Sequence, residues 1–434
     1  MSFVKAGRSQ RKRLAFWAVL ATLLLAVSLG GIEALASLYV PAWPARALNP
    51  REPARLRVLS APFQRQPWLA DPDNSWAVRD RERTIAKPEH NFRAVFVGDS
   101  FVESRFTPRS VPAAVEARLH GRWPNLEAVN LAVGATDPRS YFFRIRDVAL
   151  SLQPDLLLLF IYAGNDFMPP DQGYSVWPKL IDESPGGSLV GLVMPRTNWL
   201  LVNRLDLAAF FRSRAKAPAN DEVKLYEAVT SPPAERLRRT VEYVRAYHFP
   251  DLSEQKVAEV LGRGDQRFLE IATPHEGEQE YLLDWMFDSL MSWETGEFDV
   301  PARREDAGGF AGNGQVEATL SWIRATAEMA KGHGVPLRVF LAPVGLGDPH
   351  YVEFWKPWPR AFGWNYICDE WQGRLASALD RERISFVDLR ADLAGVPGTY
   401  RKLDGHWSRK GKAIVADRVA AELAALAHSK FHGP

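Results

Sequence analysis

The chain has 434 residues, enough for one large domain or two of medium size. Hydrophobic residues make up 46% and charged residues 24%, which is the composition of a folded globular protein and excludes a largely disordered one. The 54 basic and 52 acidic residues nearly cancel, so no electrostatic footprint for nucleic acid is present, and the single cysteine excludes an intrachain disulfide.

The amino terminus pairs a basic segment with an apolar run. From Leu14 to Ile32 the chain has 19 consecutive apolar or small residues, which just span a hydrocarbon core of about 30 Å. The basic residues before this run predict that the amino terminus stays in the cytoplasm and the remainder lies outside it. We expect a single-pass membrane protein with an extracytoplasmic domain, periplasmic in a Gram-negative cell. A cleaved signal peptide, cut near Ala34-Leu35-Ala36 to release a secreted protein, and a buried core helix are the alternatives.

An alternation of strands and helices begins near residue 93. The apolar runs predict strands at 93–97, 126–133, 155–162, 337–342 and 384–389, and helical spacing predicts helices at 111–120, 139–152, 315–331, 372–382 and 408–428. Such alternation predicts an α/β fold, with a parallel sheet covered by helices on both faces.

The alternation stops after the third strand, and the chain becomes polar and helix-rich, with amphipathic helices predicted at 235–248 and 280–293. We interpret this part as a helical insertion. The predicted divisions are a cytoplasmic basic tail at 1–13, a transmembrane signal anchor at 14–36, a stalk or lead-in at 37–91, the first part of the α/β domain at 92–166, the helical insertion at 167–312 and the second part of the α/β domain at 313–434.

A serine follows the first strand directly, in Gly98-Asp99-Ser100-Phe101. It therefore lies at the carboxyl end of a strand, where α/β folds place ligands, and near a helix amino terminus whose N–H groups can stabilise an oxyanion. A serine nucleophile needs a base to remove its proton. The alternative is that Ser100 only caps the helix.

A candidate base lies in Asp404-Gly405-His406-Trp407, just before the last helix. An acidic residue beside a histidine can orient the imidazole and stabilise its charged form. The alternatives are a capping aspartate beside a structural histidine, or part of a metal site, which would need further ligands.

Together these segments resemble the SGNH, or GDSL-type, esterases and acyltransferases, over about residues 93–166 and 335–427. The resemblance implies a flavodoxin-like parallel sheet of the SGNH hydrolase type, with Ser100 as nucleophile and His406 and Asp404 as base and acid. It implies an oxyanion hole formed by the N–H groups of Ser100 and Gly134 and the side chain of Asn165. No cofactor and no metal are implied.

Two departures from the family pattern stand out. Ala163 occupies a position that is usually glycine, and only Gly405 separates Asp404 from His406, where the family usually has two residues. This shorter form resembles the membrane-anchored and exopolysaccharide-acetylating branches. We therefore expect an O-acylated glycan or another acyl ester as substrate, and a membrane-embedded partner is an expected source of acyl groups.

Residues beside the matched segments are expected to line a substrate cleft; they are Asp99, Arg105, Asp137, Arg139, Asp166 and Trp407. The tryptophan-rich stretch 354–371 can either stack on sugar rings or attach the insertion to the core, and we favour the second interpretation. The choice between hydrolase and transferase stays open at this point. The competing function is a non-catalytic glycan-binding or polysaccharide-assembly protein with a degenerate SGNH fold.

Overall fold

The computed structural model describes residues 3–36, 38, 74, 78–104, 107–134, 136–174, 194, 196–197, 222–264, 267, 284–402 and 405–431. The chain divides into two compact units. One comprises Met1–Arg51 with Ser175–Ala217, and the other comprises Glu52–Tyr174 with Pro218–Pro434.

The first unit contains helix α1, Phe3–Ala36. Its segment Ala15–Ala36 has a mean hydropathy of 2.2 and no buried residues across the most apolar window, so length and composition suffice to cross a membrane. Near the end of this helix, the Glu33 carboxylate accepts the backbone N–H groups of Arg196 and Thr197 at 2.7 and 2.9 Å. An apolar helix of this kind fits a signal anchor or a signal sequence.

The second unit contains a five-stranded sheet. Its strands are β1, Phe92–Val97; β2, Leu126–Asn130; β3, Leu156–Tyr162; β4, Leu337–Ala342; and β5, Phe386–Asp388. All neighbouring strands are parallel, and their order is β2-β1-β3-β4-β5. This is the flavodoxin-like order, so the predicted fold class is confirmed.

Counted over the described residues of this unit, short ones included, the first five helices are α2, Ser100–Glu103; α3, Val111–Leu119; α4, Pro138–Asp147; α5, Glu222–Val229; and α6, Pro233–Tyr247. The next four are α7, Glu254–Gly262; α8, Asp284–Thr295; α9, Ala307–Phe310; and α10, Asn313–Gly332. The last four are α11, Pro349–Trp355; α12, Pro359–Arg381; α13, Arg390–Leu393; and α14, Arg409–Phe431.

These helices cover the sheet in two groups. Helix α3 packs against α14 and β2, while α10 packs against α4 and α12. Right-handed crossover connections place the two groups on opposite faces, because the chain moves from β1 to β2 in one direction and then back across the sheet in the other. The strands between them are almost completely buried, as their continuous apolar runs predict.

Three of the differences between predicted and observed element bounds have a clear physical cause. Strand β2 stops at Asn130, whose side chain accepts the N–H of Ala132 and donates to the carbonyl of Arg79, so the ladder gives way to a turn. The helix predicted at 139–152 ends at Asp147 and is followed by a 3-10 turn, Ala149–Leu152. Helix α12 begins at Pro359 and not at 372, because proline fits the first turn of a helix.

The tryptophan-rich stretch joins helices of the predicted insertion to the rest of the unit. Trp358 is fully buried, and its indole N–H donates to the carbonyl of Val260 in α7 at 2.8 Å. The backbone N–H groups of Arg360 and Ala361 donate to Glu294 in α8, both at 2.9 Å. The packing interpretation of this stretch is therefore confirmed at these positions.

The described end of the predicted lead-in, residues 78–91, packs beside β2. Asp80 and Arg83 form a buried ion pair at 2.8 Å. Asp80 also accepts the N–H of Asn130, and Arg83 donates to the carbonyl of Ala128. Since Asp80 and Arg83 both form hydrogen bonds with the edge strand β2, this segment packs as part of the same unit up to the start of β1.

Candidate active site

The nucleophile candidate opens a short helix immediately after β1. Asp99 caps α2, and its carboxylate accepts the N–H of Phe101 at 3.0 Å. A Cβ on Gly98 would lie 2.9 Å from Val102 Cγ2 and 3.0 Å from Phe160 Cβ, so the turn packs directly onto β3. Ser100 is thereby fixed at the carboxyl edge of the sheet, as its sequence position predicts.

His406 reaches Ser100 from a loop more than three hundred residues later in the chain. Its Nε2 atom lies 2.7 Å from Ser100 Oγ, and both side chains are half-buried. This is the distance at which a general base can take the proton of a nucleophile. The structure thus brings together the two residues that the sequence singled out.

An aromatic ring stacks on the imidazole of His406, and two further rings contact that first ring. The ring of Phe101, the residue after the nucleophile, stacks on it with centroids 4.7 Å apart and planes at 25°. Tyr162 stacks on the other side of Phe101, and Trp407 meets the edge of the same ring at 5.0 Å. Stacking of this kind restricts the orientation of the imidazole.

The loop that carries His406 is closed by backbone contacts. Arg401 N–H donates to the carbonyl of His406 at 2.8 Å, and Tyr400 and Trp407 form an isolated antiparallel bridge. Gly405 has φ of +66°, a left-handed conformation that favours glycine. The chain therefore turns sharply just before the imidazole.

Asp348 ties this loop to the amino terminus of α11. Its carboxylate is fully buried and accepts the N–H groups of His350, Gly398 and Tyr400, each at 2.9 Å. The Tyr400 hydroxyl in turn donates to the carbonyl of Pro343, just after β4. Asp348 and Tyr400 thus anchor the His406 loop to the sheet.

The three groups predicted to form the oxyanion hole differ in exposure and in hydrogen bonding. Ser100 N–H is at the first position of α2 and donates to no other described residue. Asn165 is exposed, in the turn after β3. The N–H of Gly134 donates to the carboxylate of Glu103 at 2.8 Å.

Two buried carboxylates lie beneath the nucleophile. Burial raises the pKa of Asp99, whereas the N–H of Phe101 and the charge of His406 act in the opposite direction. Burial and the nearby charge of Asp99 raise the pKa of Asp166 well above its usual value. Asp166 accepts the Tyr141 hydroxyl at 2.9 Å and the N–H of Tyr162 at 2.7 Å.

Three of the residues predicted to line the substrate cleft are buried. Asp99, Asp166 and Trp407 are 1%, 0% and 3% exposed, so they support the site from below instead of lining an open cleft. The indole of Trp407 donates to Tyr400, and the other two side chains face the network just described. The physical reason is that each side chain directly follows or precedes a buried element and turns into the core.

The other predicted residues are more exposed or lie outside the described part of the chain. Asp137 is half-buried and caps α4 by accepting the N–H of Ser140 at 2.8 Å, and Arg139 is half-buried on the first turn of that helix. Asp404 and Arg105 lie outside the described residues. Their predicted roles stay predictions.

Several residues at the site were missed by sequence reasoning. Glu103, Phe101 and Asp348 read as ordinary helix or loop residues, and their roles come from contacts over long sequence separations. The signal that could have found Glu103 is its spacing, because a residue three positions after Ser100 lies on the same side of a helix. Within the described ranges, no cluster of three or more His, Cys, Asp or Glu side chains could hold a metal ion.

Comparisons with known proteins find distant structural similarity only. No family model and no curated protein matches the chain. A proposed acylhydrolase from Bacteroides fragilis NCTC 9343 is 10% identical with a TM-score of 0.33, over 79% of this chain and 90% of that one. A GDSL-like lipase from Bacteroides thetaiotaomicron VPI-5482 is 9% identical with a TM-score of 0.31, over 78% of this chain and 92% of that one. At these values neither similarity bears on the reaction or the substrate, so the functional argument depends on the site itself.

Proposed function

We propose that this protein is a serine-dependent acyl ester hydrolase or O-acyltransferase that works through an acyl-enzyme on Ser100. The observation that carries the proposal is the 2.7 Å contact between His406 Nε2 and Ser100 Oγ at the carboxyl end of β1. A capping serine has no need of an imidazole at hydrogen-bonding distance, whereas a nucleophile does.

In the proposed reaction, Ser100 Oγ attacks the carbonyl carbon of the ester while its proton passes to His406 Nε2. The carbonyl oxygen becomes an oxyanion, which the N–H of Ser100, at the first position of α2, and the amide of Asn165 are proposed to stabilise. Collapse of this intermediate breaks the bond to the alcohol, which takes the proton from His406. Water or a second hydroxyl then repeats the sequence and releases Ser100. Asp404 is proposed to orient the imidazole.

The proposed substrates are O-acylated glycans outside the cytoplasm, with α1 holding the protein at the membrane. The resemblance of Asp404-Gly405-His406-Trp407 to the exopolysaccharide-acetylating branch supports this substrate class. The length and apolar character of Ala15–Ala36 support the location.

The test is Ser100→Ala, with Ser377→Ala as the matched control because Ser377 is exposed on α12. We expect Ser100→Ala to abolish p-nitrophenyl acetate hydrolysis and labelling by a fluorophosphonate, and Ser377→Ala to keep both. Hydrolysis that survives in Ser100→Ala would overturn the proposal.

A second experiment separates hydrolase from transferase. An unacylated oligosaccharide is added with the ester, since a transferase acylates the sugar faster than it releases acetate.

A further inference from the structure

Glu103 carries a buried carboxylate beside the nucleophile. It lies one turn after Ser100 on the same helix, α2, and is only 2% exposed. Its Oε2 atom accepts the N–H of Gly134 at 2.8 Å. This N–H is the one that the family resemblance of the sequence implies for the oxyanion hole, and in the structure a carboxylate of the same chain accepts it.

Gly134, Glu103 and Ser100 converge on one small region. A Cβ built on Gly134 would lie 3.1 Å from Glu103 Oε2 and 3.5 Å from Ser100 Cβ. The carboxylate and the reacting side chain therefore approach the same point from two sides. A carboxyl group this close to the nucleophile is within reach of an anion that forms there.

Hydrogen bonds hold the backbone around Glu103 in place. The N–H of Glu103 donates to Asp99 O at 3.0 Å. The buried guanidinium of Arg79 donates to the carbonyls of Glu103 at 3.2 Å, of Ser104, and of Thr107 at 2.6 Å. With this backbone fixed, a substrate group that displaces the carboxylate from Gly134 has to do so by rotating the Glu103 side chain.

An N–H group has one hydrogen, and a full-strength hydrogen bond to Glu103 leaves little for a second acceptor. A carboxylate and an oxyanion also repel each other, and the repulsion is stronger where water is excluded. Loss of one oxyanion-hole donor typically costs about 100- to 1000-fold in rate. The arrangement therefore opposes the reaction as long as Glu103 stays on Gly134.

We propose that Glu103 is a specificity-determining residue that competes with the oxyanion for the N–H of Gly134. A substrate whose remaining groups bind strongly enough to displace the carboxylate gains the third donor, and a small ester without such groups reacts slowly. Binding energy from distant parts of the substrate is thus used to complete the oxyanion hole. This inference rests on the proposed function of Ser100.

Three variants test the proposal on the full chain. Glu103→Ala removes the carboxylate, and Glu103→Gln removes the charge but keeps an oxygen that can accept the N–H. Glu89→Gln is the matched control, because Glu89 is 90% exposed and lies before the amino-terminal end of β1. The readouts are kcat/KM for p-nitrophenyl acetate and inhibition by phenylboronic acid, which forms an anionic tetrahedral adduct with a serine.

We expect Glu103→Ala to raise kcat/KM for p-nitrophenyl acetate and to tighten phenylboronic acid inhibition, each by about tenfold or more. Glu103→Gln should change both in the same direction but less, and Glu89→Gln should change neither. Weaker or unchanged inhibition of Glu103→Gln by phenylboronic acid, with an unchanged melting temperature, would overturn the proposal. If Glu103→Ala does not fold, the isosteric variant Glu103→Gln provides the test. If the gain persists in Ser100→Ala/Glu103→Ala, the proposed function of Ser100 fails instead.

Discussion

Ser100 and His406 are held in position in two different ways. Ser100 is fixed by main chain, because β1 ends in the interior of the sheet and Gly98 packs the following turn onto β3. His406 is fixed by side chains, through the ring of Phe101 and through a loop tied down by the buried Asp348. One half of the pair is positioned by the sheet and the other by packing around a loop.

Because Ser100 and His406 are held differently, they should differ in how well they tolerate substitutions of neighbouring residues. A residue fixed by a strand end keeps its place while its neighbours change, since the sheet hydrogen bonds do not depend on side-chain identity. A residue fixed by stacking and buried hydrogen bonds depends on each of those partners. Changes around His406 should therefore affect activity without touching either reacting group.

The largest expected effect tests whether the two halves act as one unit. Ser100→Ala and His406→Ala should each lower kcat by about 10⁴- to 10⁶-fold, and the double variant should be no worse than either single one. Hydrolysis of p-nitrophenyl acetate measures all three, with His120→Ala on the exposed end of α3 as control. If the losses of kcat in the two single variants add up in the double variant, Ser100 and His406 contribute separately, which contradicts a nucleophile–base pair.

The next effect concerns the anchor of the His406 loop. Asp348→Ala leaves three backbone N–H groups without their charged acceptor and should lower the free energy of unfolding by about 3 kcal/mol or more. We also expect kcat to fall, because the loop from Gly398 to His406 loses its tie. Urea unfolding and kcat are measured together, with Asp251→Ala, an exposed carboxylate, as control. A stability loss with kcat intact would show that His406 is held without Asp348.

The smallest effect isolates the ring that stacks on His406. Phe101→Leu conserves most of the buried volume and should cost less than about 1.5 kcal/mol of stability. Loss of the stacked pair should lower kcat by about 2- to 10-fold. Phe142→Leu is the control, because Phe142 packs in a separate cluster with Trp322. Equal changes in kcat for both variants would contradict a positioning role for Phe101.

The same division explains what could be predicted from the sequence. The parallel sheet and the place of Ser100 follow from apolar runs and the turns that end them, which are local signals, whereas the strand order was expected only from the family resemblance. The hydrogen bond from Gly134 to Glu103 and the burial of Asp166 depend on contacts between separate elements, which periodicity does not reveal. The start of α12 at Pro359 was missed because its aromatic residues mask the helical pattern of the first turns.

The chain after β3 is tied to helix α10 close to the site, at the start of the predicted helical insertion. The hydroxyl of Thr319 in α10 donates to the carbonyl of Asp166 and accepts the N–H of Met168, both at 2.9 Å. Further along, Trp322 donates to the carbonyl of Gln172, so the departing chain runs beside the helix that brings it back. A chain that leaves and returns at one point is suited to replacement of the residues in between, while the sheet keeps its reactive edge.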